Sequence, residues 1–165
     1  RQRTGLVAEF SIEENLVLKD VHHFPFSNKG WLNKGAIRAR ATDLVQRFGI
    51  EPLEPSRPVS ELSGGNQQKV VVAREISRDH RLLVAFNPTR GLDIGACETV
   101  YNALLEDTKA GAGILLISTE LDEVLRLADR LYVLFQGSLV EIPKDEWSSE
   151  KIGFSMLGVA RGGES

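Results

Sequence analysis

The sequence contains no G-x-x-x-x-G-K-[ST] string, so it lacks the lysine and the nest of amides with which such a loop seats a nucleotide's phosphates. A chain without that platform is not a self-contained nucleotide hydrolase of that kind. Cysteine is almost as scarce: the single Cys97 excludes an internal disulfide and fits a reducing compartment. None of His22, His23 and His80 is spaced to activate it, so it reads as a packing residue. No apolar run approaches the roughly 18 residues that a membrane span needs, and no signal-peptide pattern opens the chain. Nothing here is expected to cross a membrane by itself. Nor is there a basic excess, since the formal net charge is -3, and nucleic acid is not an expected partner. The chain opens on Arg1 rather than Met, which reads as a piece excised from a longer protein. What remains, 42% hydrophobic and 26% charged, is the balance of one globular domain.

The organising stretch is Leu62-Ser63-Gly64-Gly65-Asn66-Gln67-Gln68, which runs directly into a helix-patterned segment, 69–79. Consecutive glycines leave room for a large anion to approach the backbone, and the first amides of a helix have no partner within it. A helix start also carries roughly half a positive charge. Ser63 Oγ and the Gly64, Gly65 and Asn66 amides would therefore grip the end of a polyphosphate. Taken alone, S-G-G is more often a plain turn that caps a buried helix.

The rest of the chain alternates strands and helices. Ser11 and Glu14 form a capping box before a short helix. Residues 22–33 read as an aromatic loop, whose Phe24, Phe26 and Trp31 either fill a small core or form a docking groove. A helix over 36–48 ends on Gly49. Prolines 52, 55 and 58 make 51–60 an extended connector. Residues 81–86 and 114–118 have the unbroken apolar character of parallel strands buried on both faces. Helices are expected over 98–109, 121–128 and 145–159, with 161–165 as a frayed end. Strands 130–135 and 139–142 are joined tightly enough to form a hairpin. The order implies an α/β fold in which helices cross over a parallel core.

The string LSGGNQQKVVVARE (62–75) resembles the signature motif of ATP-binding-cassette (ABC) ATPases. LLVAFNPTRGLD (82–93) is similar to their Walker B strand and D-loop, and ILLISTELDEV (114–124) to their switch strand and loop. The motifs fall in the family's order across about residues 5–140. The resemblance implies a partial P-loop NTPase core, the Walker A half missing, with a helical signature subdomain (5–80), the C-terminal half of the ATP-binding core (81–142), and a C-terminal helix and tail (143–165). The spelling of the signature and of P-T-R-G-L-D resembles the second cassette of bacterial importers for simple sugars and nucleosides.

Two positions of the chain's own half-site depart from the family chemistry. Phe86 stands at the Walker B Asp position, and a phenyl ring cannot ligate magnesium. Asn87 stands at the catalytic Glu position, and an amide cannot take a proton. The switch His position is also altered: it holds Thr119, which cannot change charge near pH 7. The adjacent Glu120 is either a base or a carboxylate suited to a first helical turn. The resemblance then implies a site completed in trans: Ser63, Gly64 and Gly65 on the γ-phosphate of ATP held by another cassette, Asn66 and Gln67 supporting that loop, and Asp93 crossing through the D-loop. Asp93 is also placed to cap the following helix. The other cassette would lie on the same polypeptide or in a homodimer. ATP and Mg²⁺ are expected for the full-length protein, with neither bound tightly by this inactive fragment. An integral-membrane permease is the expected partner, through Phe24, Phe26 and Trp31, which puts the protein peripherally on the cytoplasmic face of the inner or plasma membrane. The alternatives are a regulatory module that only contacts the permease, and a soluble ABC ATPase of another process, whose long coiled-coil or basic extensions are not seen here.

Overall fold

Ser11 starts the first helix, α1 (Ile12–Val17), with both halves of its capping box made: Ser11 Oγ accepts from the Glu14 amide at 3.2 Å, and Glu14 Oε2 accepts from the Ser11 amide at 2.8 Å. In this computed structural model, which describes residues 5–158, three longer helices follow in the first part of the chain. α2 (Lys34–Arg47) is capped by Asn33 and closed at Gly49, whose φ of 56° is the left-handed turn its glycine predicts. α3 is Gly64–Ile76 and α4 is Ile94–Lys109. α1 packs on α2 and α3, and α3 on α4. Ile12, Leu16, Ala41, Leu44, Val45, Ile50, Val70 and Ala73 form the buried centre of this helical part.

Two buried polar residues hold the chain's entry to that centre. The Asn15 amide group donates to the Val7, Phe10 and Ser11 carbonyls, and its oxygen accepts from the Val7 amide at 2.9 Å. Arg74, 4% exposed, donates to the Gly5 carbonyl at 2.8 Å and the Asn15 carbonyl at 3.4 Å and pairs with Glu75. Burying such groups is tolerable because each has its partners. The proline connector lies beside α1, where Arg57 and Pro55 carbonyls accept from the Ile12 and Glu13 amides. It is not extended to its end, for Val59–Glu61 forms a 3-10 turn.

The aromatic segment is not wholly a loop. β1 (Ser27–Asn28) and β2 (Trp31–Leu32) pair antiparallel around Lys29 and Gly30, both with positive φ. That is the geometry of a type I′ hairpin turn, which Lys-Gly signals far less plainly than Asn-Gly. Its rings do not fill a core: Phe24 and Trp31 are 85% and 82% exposed, and only Phe26 is half-buried.

β3 (Leu82–Phe86) and β4 (Gly113–Ile117) form a two-stranded sheet. The Gly113 amide donates to Arg81 O and the Asn87 amide to Ile117 O, so like ends adjoin and the pair is parallel, with α4 as its crossover. Burial on both faces is not observed. Leu82, Val84 and Phe86 on β3, with Leu115 and Ile117 on β4, are exposed. The apolar run encodes a covering layer that the described residues do not supply. α4 starts four residues before its periodicity does, because Asp93 caps it.

Backbone contacts group the chain up to Leu83 with Pro88–Leu115 in one unit, and Val84–Asn87 with the chain from Leu116 onward in another. In the second, α5 (Leu121–Leu127) leads to the expected hairpin, β5 (Leu131–Phe135) and β6 (Ser138–Ile142), in register Leu131 to Ile142. This hairpin is a sheet of its own and does not extend β3 and β4. The single helix expected over 145–159 is broken. Lys144–Glu146 is a 3-10 turn, and Ser148 caps a new helix, α6 (Ser149–Met156). Val159 and residues 161–165 lie outside the described residues. Leu131, Val133, Ile142 and Ile152 form the centre of this unit, and the Trp147 indole donates to Ile142 O at 2.9 Å.

Burial separates two leucines that look alike in sequence: Leu44 is 1% exposed and Leu134 is 70%. Leu44→Ala should cost about 2–5 kcal/mol and Leu134→Ala no more than about 0.5, read as urea midpoints at constant m-value.

Candidate functional site

The turn into α3 is built by side chains that follow it. Ser63 is extended (φ -60°, ψ 156°) and its Oγ accepts from the Asn66 amide at 3.4 Å and the Asn66 side chain at 3.2 Å. Asn66 Oδ1 in turn accepts from the Glu51 amide at 3.0 Å. Gln67 Nε2 reaches back to the carbonyls of Val59 (3.3 Å) and Leu62 (3.1 Å). Asn66 and Gln67 therefore tether the loop on both sides. Ser63 and Gly64 face solvent, and no acceptor among the described residues takes the Gly64 or Gly65 amide.

A side chain at position 65 would meet only an ordinary contact, 3.6 Å from Gly91 O. Among the described residues no contact requires glycine there. An exposed helix start of this form suits an anion with several oxygens.

Gly91 belongs to the turn that follows β3, where Leu92 donates to Thr89 O at 3.0 Å and Gly91 takes a φ of 84°. Asp93 caps α4 through the Ala96 amide at 2.8 Å, so the capping role is present. Its other oxygen is 2.8 Å from Lys69 Nζ, which also donates to Gly49 O at 3.0 Å. One lysine on α3 thus joins the signature helix to the Asp93 turn and to the end of α2. The sequence reading assigned Lys69 no role, although it closes the L-S-G-G-N-Q-Q-K string. The Lys69 ammonium, helped by the Ala96 amide, holds the Asp93 carboxyl below the usual carboxylate range. Beside it Ile94 is 85% exposed, an apolar residue at the head of a helix that the sequence reading also passed over.

The altered positions lie at the ends of β3 and β4. The Phe86 ring is 58% exposed and offers no metal ligand. Asn87 is buried, and Thr119 and Glu120 are exposed. Mg²⁺ finds no carboxylate at Phe86 or Asn87. Away from the signature, a cavity of about 260 Å³ is lined by Arg78, His80, Arg81 and Asp107 among others. Burial raises the Asp107 carboxyl although His80 Nε2 lies 3.3 Å from it. No residue of the signature or of the Asp93 turn lines that cavity.

Residues 1–90 match the family model described as ABC transporter. The chain is 39% identical over 159 residues to the guanosine import ATP-binding protein NupO of Bacillus subtilis, covering 96% of this chain and 31% of that protein. It is 39% identical over 153 residues to the ribose import ATP-binding protein RbsA of Oceanobacillus iheyensis, covering 92% and 30%. The chain thus spans about a third of the length of these curated relatives. The fold is similar to the dimeric structure of MJ0796, a bacterial ABC transporter cassette, with a TM-score of 0.69 at 22% identity over 87% of this chain and 61% of that one.

Because Asp93 is held below its ordinary value, about 3.9, the Lys69 pair stabilises the fold above that range and is lost as pH falls through the lowered value. The melting temperature should fall on acidification below about pH 4 more steeply in the native chain than in Lys69→Met. Parallel curves would remove the pair from the account.

Proposed function

The chain belongs to the ABC transporter family, and from that premise we propose that it is part of the ATP-binding subunit of an importer for nucleosides or simple sugars. Support for the solute class comes from relatives named for guanosine and ribose import. Its helical part (5–80) and core part (81–142) act on ATP and Mg²⁺ held mainly by another cassette, in the same polypeptide or in a dimer. Ser63, Gly64 and Gly65 close over the terminal phosphate, Asn66 and Gln67 hold their loop, and Asp93 with exposed Ile94 meets the opposite cassette. The observation that carries this reading is the pair of unpartnered glycine amides at an exposed helix start.

ATP bound in this way supplies the phosphoanhydride to be cleaved. What the chain contributes is a set of donors aimed at its negative charge, without a metal ligand at position 86 or a proton acceptor at position 87. Such a chain completes a partner's active site while its own half-site stays nearly silent, and the fragment alone does not hydrolyse ATP. The protein sits peripherally on the cytoplasmic face of the membrane beside a permease; among the described residues no helix is long and apolar enough to cross a bilayer. The exposed Phe24 and Trp31, with half-buried Phe26 at their base in the sequence, form the surface offered to that permease. Their exposure also favours the second reading, a module that contacts the permease and leaves hydrolysis untouched.

Ser63→Arg in the full-length protein separates the two readings, since a long cation would fill the space above Gly64 and Gly65. On the trans-site reading ATP turnover falls by about 10²-fold or more. Unchanged turnover would favour the contact module. Trp31→Ala should leave the turnover of the permease-free protein intact and weaken its recovery with permease-containing membranes.

A further inference from the structure

Asn87 ends β3 in an unusual way. Its amide donates to the Ile117 carbonyl at 2.7 Å, and its Oδ1 accepts from the Thr119 amide at 3.0 Å, so one residue brackets Ser118 from both sides. It is 6% exposed, and its φ of 44° lies in the left-handed region, which asparagine enters more readily than most residues. The next amide along, that of Glu120, is taken by Ser118 Oγ at 3.0 Å. The backbone of 118–120 is therefore held at successive amides, while the Thr119 and Glu120 side chains remain exposed.

We infer that Asn87 is a positioning residue, a clip that fixes loop 118–120 in one conformation, and not an idle remnant at the place of a base. Its side-chain oxygen accepts from the Thr119 amide at 3.0 Å. An amide oxygen accepts a hydrogen bond at any pH, so the clip holds without depending on a neighbour's charge. The functional consequence deepens the silent half-site proposed above and rests on that reading: a loop held by its own chain does not follow the arrival or loss of a nucleotide. The clip itself stands on the two bonds to Ile117 and Thr119.

The test is amide-resolved hydrogen exchange and proton chemical shift of Thr119 in the 165-residue chain. Asn87→Gly removes the acceptor while easing the positive φ, and should speed Thr119 exchange by about tenfold or more with amides of α1 to α3 unchanged. Asn87→Asp restores an acceptor, so protection returns. Its carboxylate also makes the Thr119 proton shift follow pH in the acid range, which the native amide does not. Equal Thr119 protection in the native chain and Asn87→Gly, or no pH-linked shift in Asn87→Asp, would overturn the clip. The Asp variant decides the matter even if the Gly variant fails to fold. Protection at Thr119 together with ATP hydrolysis traced to this half-site in the full-length protein would support the clip and overturn only the silent-site reading.

Discussion

The Lys69 side chain is only 14% exposed, and its ammonium is met by acceptors. Here they are the Gly49 carbonyl and the Asp93 carboxylate. Each lies on a different element, so satisfying one charge fixes three things together: the end of α2, the first turns of α3, and the turn into α4. Asn66 and Gln67 complete the arrangement from the loop side through Glu51, Val59 and Leu62. With so many neighbours committed, the amides at the mouth of α3 are what is left over, held still and facing outward. A binding surface of this sort works because its donors are placed before the ligand arrives.

The two halves of the chain treat their polar groups in opposite ways. At the signature, side chains are used to brace a loop and leave backbone donors free for an outside anion. At the end of β3 the buried polar side chain turns inward and takes a backbone donor of its own chain. Phe86 beside it adds an exposed apolar ring where a metal site would need oxygen. This contrast is the physical basis for assigning the chain a part in a shared site.

Much of this was legible in the order of residues. The Ser11 and Glu14 box, the Gly49 stop and the β5–β6 hairpin all depend on neighbours a few positions apart, and local rules describe them well. The readings that failed depend on distant parts of the chain or on their absence. Leu82, Val84 and Phe86 carry the pattern of a strand covered on both faces, yet a pattern cannot say which segment does the covering. The aromatic residues near 24–31 were compatible with a small core and with a docking groove, and the core reading fails. The break before α6 falls where Trp147 is tied back to the Ile142 carbonyl, a partner on β6, and Ser148 then caps a new helix.

The sequence by itself determined the family, the order of the main helices and of β3 to β6, and which side chains stand at 86, 87 and 119, because motif identity and side-chain chemistry need no coordinates. Only the tertiary structure decided that Lys69 joins Asp93 to α3, that Asn87 is bonded to Thr119, and that Phe24 and Trp31 lie in water. Those facts concern residues 24 and 32 positions apart for the two pairings, and a charge or an amide finds such a partner only when the backbone has brought it within about 3 Å.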